Sequence, residues 1–326
     1  MWFTLLLNYS LEHLDSIEKL DLSWNQLLWV GSGVFTGLSR LRQLYLHNNR
    51  LSVVQQGSLD LLPGLEVLNL SNNNISWIDG EALAPLYSLA ILALEGNNLH
   101  HLKFKTFLSL HTSATHITLL EHLDSIEKLD LSWNQLLWVG SGVFRGLSRL
   151  RQLYLHNNRL SVVQQGSLDL LPGLEVLNLS NNNISWIDGE ALAPLYSLAI
   201  LALEGNNLHH LKFKTFLSLH TTATHITLSA NPWNCDCELH RVFSKILYVR
   251  HLHVDDYRNV TCRDPPQLAG SSLSWVDSQL CLAETVTVLV ITVTVMVTVV
   301  AAVVMAERNR KRNSGKKWDA ESQTQT

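Results

Sequence analysis

The residues of this chain best suited to chemistry are its 4 cysteines and 15 histidines. All the cysteines lie late: Cys235, Cys237, Cys262 and Cys281. Such a set can hold zinc or form disulfides. Zinc sites usually join one C-x-x-C-like pair to a second close pair, whereas Cys262 and Cys281 are far apart. Cys235 and Cys237 are two positions apart, so each is expected to take a distant partner. The reading is two disulfides, which places the domain in an oxidising compartment. The histidines offer less. His100-His101 and His209-His210 have no carboxylate or cysteine at ligand spacing. His251-Leu252-His253-Val254-Asp255 could present ligands from one strand face, but its setting among the cysteines favours a structural role. There is no G-x-S-x-G, phosphate loop or H-E-x-x-H. No catalytic, metal or cofactor site is expected, and the chain is read as a non-enzyme.

The elements that carry these residues come from a duplication. Residues 11–119 recur as 120–228, with two differences: Thr36 against Arg145, and Ser113 against Thr222. Inside each copy an asparagine returns at a fixed interval: Asn25, Asn49, Asn73, Asn97, then Asn134, Asn158, Asn182, Asn206. Leu20-Asp21-Leu22-Ser23-Trp24-Asn25-Gln26-Leu27 aligns with Leu44-Tyr45-Leu46-His47-Asn48-Asn49-Arg50-Leu51. The pattern L-x-L-x-x-N-x-L is the signature of a leucine-rich repeat. Leu20 and Leu22 alternate with exposed residues, so a short strand points them inward. The asparagine amide pairs with backbone groups that the turn would otherwise bury unsatisfied. Val34, Phe35 and Leu38 fill the convex side. Leu59, Leu83 and Phe107 take the place of Phe35 in later repeats. One unit cannot bury its own apolar face, so neighbours must stack. A coiled coil or a helical bundle would need other periods.

After the second copy comes Asn231-Pro232-Trp233-Asn234-Cys235-Asp236-Cys237. Leu239, Val242, Phe243, Ile246 and Leu247 follow at helical spacing and can lay an apolar face on the last repeat. Together with Thr261-Cys262-Arg263-Asp264-Pro265-Pro266 and the final cysteine, this stretch resembles the C-terminal cysteine-rich flank of extracellular leucine-rich-repeat proteins. The resemblance covers roughly residues 11–281. It implies an α/β solenoid with a curved parallel sheet on its concave side, closed by a cap bridged Cys235–Cys262 and Cys237–Cys281.

Thr285–Ala306 carries no charge and is long enough to span a bilayer as a helix. Its Val and Thr content favours strand in water, but a lone strand in lipid leaves its backbone unpaired. The Thr hydroxyls can bond carbonyls of the preceding turn. Arg308, Arg310, Lys311, Arg312, Lys316 and Lys317 follow. The positive-inside rule puts this end in the cytosol and the repeats outside. The organisation is therefore an atypical N-terminus (1–10), two repeat blocks (11–119 and 120–228), a cap (229–282), a span (285–306) and a polar, unstructured basic tail (307–326). Met1–Asn8 is apolar but short, with no basic start or small-residue cleavage site. The expectation is a truncated gene product; a makeshift lid is the alternative.

Function falls to the residues between the inward leucines. Tyr45, His47, Val67 and Ile91, and again Tyr154, His156, Val176 and Ile200, form a plausible protein-binding patch. The apolar share of 46% allows a large core plus a span, and the net charge of −4 argues against a broadly basic nucleic-acid surface. Asn69, Asn74, Asn178, Asn183 and Asn259 fit the N-x-[ST] glycosylation pattern. A glycan at Asn69 or Asn178 would occupy the hollow. Two functions follow: a single-pass plasma-membrane adhesion or recognition receptor, or an accessory membrane subunit. The second rests on a likeness of architecture to the gamma subunits of large-conductance potassium channels. The partner is a protein or a membrane-protein complex in either case.

The duplicated length is not a whole number of repeats. Asn97 and Asn134 are 37 residues apart (134 − 97), whereas neighbouring asparagines within a copy are 24 apart (49 − 25). The expectation is one oversized repeat, with Ile117–Leu119 displaced or weakly paired. The competing outcome is a break between two arcs.

Overall fold

A computed structural model gives the fold and describes residues 14–102, 125–217, 219, 221–276 and 278–322. The chain divides into two compact units, Met1–Trp275 and Val276–Thr326.

The first unit is a solenoid built on one ten-stranded sheet whose strands follow in chain order and pair in parallel. They are Lys19–Asp21, Gln43–Tyr45, Val67–Asn69, Ile91–Ala93, Lys128–Asp130, Gln152–Tyr154, Val176–Asn178, Ile200–Ala202, Thr224–Thr227 and Leu252–Val254. The alternation of L-x-L sets their faces. Leu44, Leu68, Leu92, Leu129, Leu153, Leu177 and Leu201 are wholly buried, and the residues flanking them face solvent to some degree, apart from the buried Ala202. Phe35, Leu59, Leu83, Phe144, Leu168 and Leu192 fill the opposite wall, at the positions the repeat assigns. That wall is made of turns and two short strand pairs, Val53–Val54 with Trp77–Ile78 and Val162–Val163 with Trp186–Ile187.

The repeating asparagine holds one turn to the next. Asn49 Nδ2 donates to the carbonyls of Leu46 (3.0 Å) and Leu22 (2.9 Å), one in its own turn and one in the turn before. Its Oδ1 accepts from Leu27 N–H at 3.0 Å. The same three bonds recur at Asn73, Asn97, Asn134, Asn158, Asn182, Asn206 and Asn231. The residue before the asparagine sits in the left-handed region: Asn48 at φ +54°, Asn72 at +50°, Gly96 at +67°. Asparagine and glycine adopt that conformation readily. Trp24 (φ +56°) and Trp133 (φ +53°) hold it against their preference.

The join is in phase. Ile91, Leu92 and Ala93 pair with Lys128, Leu129 and Asp130, a step of 37 residues (128 − 91) where the neighbouring step is 24 (152 − 128). Leu94 N–H donates to Asp130 at 2.8 Å and Gly96 N–H to Ser132 at 3.1 Å. The equivalent bonds inside the first copy are Leu46 to Asn69 at 2.8 Å and Asn48 to Ser71 at 3.0 Å. The oversized repeat is thus present, and the sheet does not break. The two strands are direct neighbours in the ladder. The physical reason is that both the buried leucine and the asparagine rung are satisfied only in register. Ile117–Leu119 and Met1–Asn8 lie outside the described residues.

The cap closes the last turn. The Asp256 carboxylate accepts from Leu228 N–H (2.9 Å) and Ser229 N–H (2.7 Å), backbone groups with no further strand of the repeat type to bond them. The helix Cys237–Tyr248 is N-capped by Asp236, whose side chain accepts from Leu239 N–H at 2.8 Å. It buries Leu239, Val242, Phe243 and Ile246. Leu247, expected on that face, is exposed, because one further residue rotates it past the stripe. Trp233 is wholly buried, with Nε1 donating to Leu228 at 3.0 Å and its ring edge-on to Phe243. Cys235 and Cys262 form a disulfide with Cα atoms 5.5 Å apart. Cys237 and Cys281 are disulfide-bonded as well.

The second unit is a single helix, Ser278–Ser322. Its segment Val286–Arg310 is long and apolar enough to cross a membrane. The hydroxyls of Thr292, Thr294 and Thr298 donate to the carbonyls of Leu289, Ile291 and Val295. The helix continues through the basic cluster, where an unstructured tail was expected. Ala, Glu, Arg and Lys prolong an existing helix without a new nucleation cost.

Candidate protein-binding face

The open face of the sheet is built by the residues that flank each buried leucine. Register sets them in rows. One row runs Lys19, Gln43, Val67, Ile91 and then, across the join, Lys128, Gln152, Val176, Ile200. A second runs Asp21, Tyr45, Asn69, Ala93, then Asp130, Tyr154, Asn178, Ala202. The sequence-predicted set is therefore brought together twice. The two series are four strands apart, about 19 Å at the usual strand spacing.

Local contacts repeat with the residues. Lys19 Nζ lies 4.9 Å above the Tyr45 ring, and Lys128 Nζ 5.2 Å above Tyr154. Tyr45 meets His47 edge-on with ring centres 6.1 Å apart, and Tyr154 meets His156 at 6.2 Å. Nδ1 of His47 and of His156 is buried without a hydrogen-bond partner among the described residues. Ile91 and Ile200 are exposed, at 38% and 47%. Half-buried aromatics beside exposed aliphatics and a cation suit a protein surface better than a small-molecule pocket.

The join adds one feature that the first copy would lack alone. Glu95 is half-buried, and its Oε2 has no hydrogen-bond partner among the described residues. Burial pushes its carboxyl above the usual range, and Asp130 of the next strand adds to the shift. Glu204, its counterpart, accepts from Thr227 instead. A raised carboxyl pKa favours the fold below the unfolded value, near 4.3, and that contribution is lost as pH rises through the folded value. At neutral pH the charge is a liability. Glu95→Gln is expected to raise the Tm at pH 7, by an amount that shrinks as the pH is lowered toward about 4. Thermal melts at both pH values check it.

The glycosylation sequons separate into two kinds. Asn74, Asn183 and Asn259 are exposed. Asn69 and Asn178 are half-buried on the open face, and each Oδ1 accepts from the N–H and hydroxyl of its own sequon serine, Ser71 or Ser180. Glycopeptide mass spectrometry is expected to find glycan at Asn74, Asn183 and Asn259 and none at Asn69 or Asn178.

Sequence reasoning missed two groups. His253 and Asp255 were assigned a structural role in the cap, yet they are exposed on the open face beside His225. The signal was present in Thr224-His225-Ile226-Thr227, whose alternation aims His225 outward. The second group is Trp24, Trp29, Trp133 and Trp138, all at least half exposed. Trp24 and Trp133 occupy a position that other repeats give to asparagine or glycine, which was legible from alignment. His209 and His210 stay apart from any three-ligand cluster among the described residues, although His210 Nδ1 lies 3.8 Å from Asp236.

Residues 39–99 and 148–208 match the family model described as leucine rich repeat. The solenoid is a leucine-rich-repeat array. No curated protein matches the chain. Among solved structures, a chain of the octameric complex of Latrophilin 3, Unc5D and FLRT2 (LRR) is 27% identical, with a TM-score of 0.61 over 82% of this chain and 83% of that one. Human 5T4, also called Wnt-activated inhibitory factor 1 or trophoblast glycoprotein, is 21% identical, with a TM-score of 0.58 over 82% and 88%. A chain of the Drosophila Toll–Spatzle complex is 20% identical, with a TM-score of 0.56 over 82% of this chain and 46% of that one. The leucine-rich-repeat array here thus spans less than half the length of that last relative. The first and the last of these solved chains belong to protein–protein complexes.

Proposed function

We propose that this chain is a single-pass cell-surface recognition protein that holds a protein partner against the open face of its repeat sheet. The observation that carries the reading is the same half-buried tyrosine, histidine and exposed isoleucine set displayed twice on one continuous face. The disulfide-bonded cap and the apolar helix Val286–Arg310 support repeats on the extracellular side and the basic residues after the span in the cytosol. Tyr45, His47, Val67 and Ile91 with Tyr154, His156, Val176 and Ile200 are assigned to the contact. Asn69 and Asn178, whose amides are held by their own sequon serines, leave room for it when they carry no glycan.

Proximity labelling around the full chain on living cells tests the proposal. A Tyr45→Ala/Tyr154→Ala double variant is expected to lose labelled neighbours that the wild type and a Leu170→Ser variant keep; Leu170 is exposed and off the open face. Neighbours that survive the double variant unchanged would point to the span as the contact and overturn the reading.

A further inference from the structure

The last two strands of the sheet carry a histidine pair that the partner-binding reading does not use. His225 and His253 are in-register partners on adjacent parallel strands. Their rings stack with centres 5.1 Å apart and planes 30° apart. His225 Nδ1 lies 2.9 and 3.1 Å from the two carboxylate oxygens of Asp255. We propose that His225 and His253 form a two-imidazole binding site for a divalent transition metal of the zinc class, with Asp255 as the positioning residue.

The chemistry follows from the hydrogen bond. A carboxylate only accepts, so His225 Nδ1 carries a proton, and in the neutral ring Nε2 keeps its lone pair. Metal-bound histidines nearly always donate their other N–H to a carboxylate or carbonyl in this way, which fixes the ring and raises its basicity. The neighbouring imidazole of His253 stands beside it on the same exposed face, and the two rings, stacked as they are, must turn about their side-chain bonds to aim both nitrogens at one ion. Imidazole nitrogen suits zinc, copper and nickel and disfavours magnesium and calcium. Two protein nitrogens leave the remaining positions of a tetrahedral zinc to water or to another donor. No cluster of three or more ligands exists among the described residues, so the affinity belongs to a weak, open site rather than a closed structural one. The pair lies at the cap end, on the last two strands of the sheet. The site stands independently of the protein-partner reading.

Zinc titration of the full chain in lipid nanodiscs, followed by calorimetry, tests the site. The wild type is expected to take up one zinc ion at micromolar concentration. His225→Gln and His253→Gln are each expected to weaken it at least tenfold. Asp255→Asn weakens it about 10- to 100-fold, in the range seen for groups that orient metal ligands. His210→Gln leaves it unchanged. Wild-type binding that His225→Gln and His253→Gln do not alter, or no saturable zinc uptake, would overturn the proposal. Should a variant fold poorly, copper paramagnetic resonance on the wild type decides: two imidazole nitrogens on the ion support the site, and one or none contradicts it.

Discussion

Replacing Asn134 with alanine is expected to destabilise the repeat unit by about 2–4 kcal/mol, since one buried N–H left unsatisfied costs about 1–3 kcal/mol, each further bond lost about 0.5–1.5 kcal/mol, and neighbouring losses are not additive. Asn134 is the first rung after the join. Its Nδ2 donates to Leu94 at 3.0 Å and to Leu131 at 3.1 Å, and its Oδ1 accepts from Leu99 N–H at 3.0 Å. Alanine leaves the buried Leu99 N–H without this acceptor and takes from each carbonyl one of two amide donors, since Leu94 keeps Asn97 and Leu131 keeps Asn158. Because Leu94 and Leu99 belong to the first copy and Leu131 to the second, the loss falls on the contact between them. Asn25 gives the control. Among the described residues it bonds Leu22 and Ser23 of its own turn, in an exposed setting. Asn25→Ala is expected to cost under about 1 kcal/mol, as for other hydrogen bonds open to water. Urea denaturation of both variants makes the comparison. Equal losses would show that the asparagine acts within its own turn and not between turns.

Trp233→Ala is expected to cost a similar amount, about 3–5 kcal/mol, the range for emptying a buried large aromatic position. Trp233 is fully enclosed, bonds Leu228 through Nε1 and meets Phe243 of the cap helix edge-on; Phe243 in turn stacks on Tyr257. The cavity would open between the last repeat and its cap, where the solenoid core has no further turn to cover it. Trp275→Ala, at a residue 85% exposed, is expected to stay within about 0.5 kcal/mol of wild type. Thermal melts of the two variants separate the cases.

Much of this architecture was legible in the sequence because period and chemistry coincide. The L-x-L alternation announced the strands, and the asparagine interval announced the ladder. The counting of residues between Asn97 and Asn134 announced an oversized turn. What periodicity could not supply was the outcome of competition at the join. Ile117-Thr118-Leu119 reads as a strand, yet Lys128–Asp130 takes the place beside Ile91–Ala93. The ladder bonds of Asn134 exist only in that pairing. The face was legible for the repeated residues Tyr45, Val67 and Ile91, whose alternation fixes their direction. It was illegible for His253 and Asp255, since nothing in a linear reading says that the cap adds a tenth parallel strand beside His225. Leu247 failed for a smaller reason: a run of apolar residues at helical spacing does not tell which member falls off the buried stripe.

The account rests on a single ladder that runs through the duplication and sets two equal series on one face. Amide hydrogen exchange at Leu94 and Gly96 tests this directly. The two copies are nearly identical in sequence, so the first must be segmentally labelled and read by nuclear magnetic resonance. The prediction is that Leu94 and Gly96, which donate to Asp130 and Ser132, exchange as slowly as Leu46 and Asn48, which donate to Asn69 and Ser71. Exchange of Leu94 and Gly96 at the rate of unbonded amides, with Leu46 and Asn48 still protected, would contradict it and leave two separate arcs.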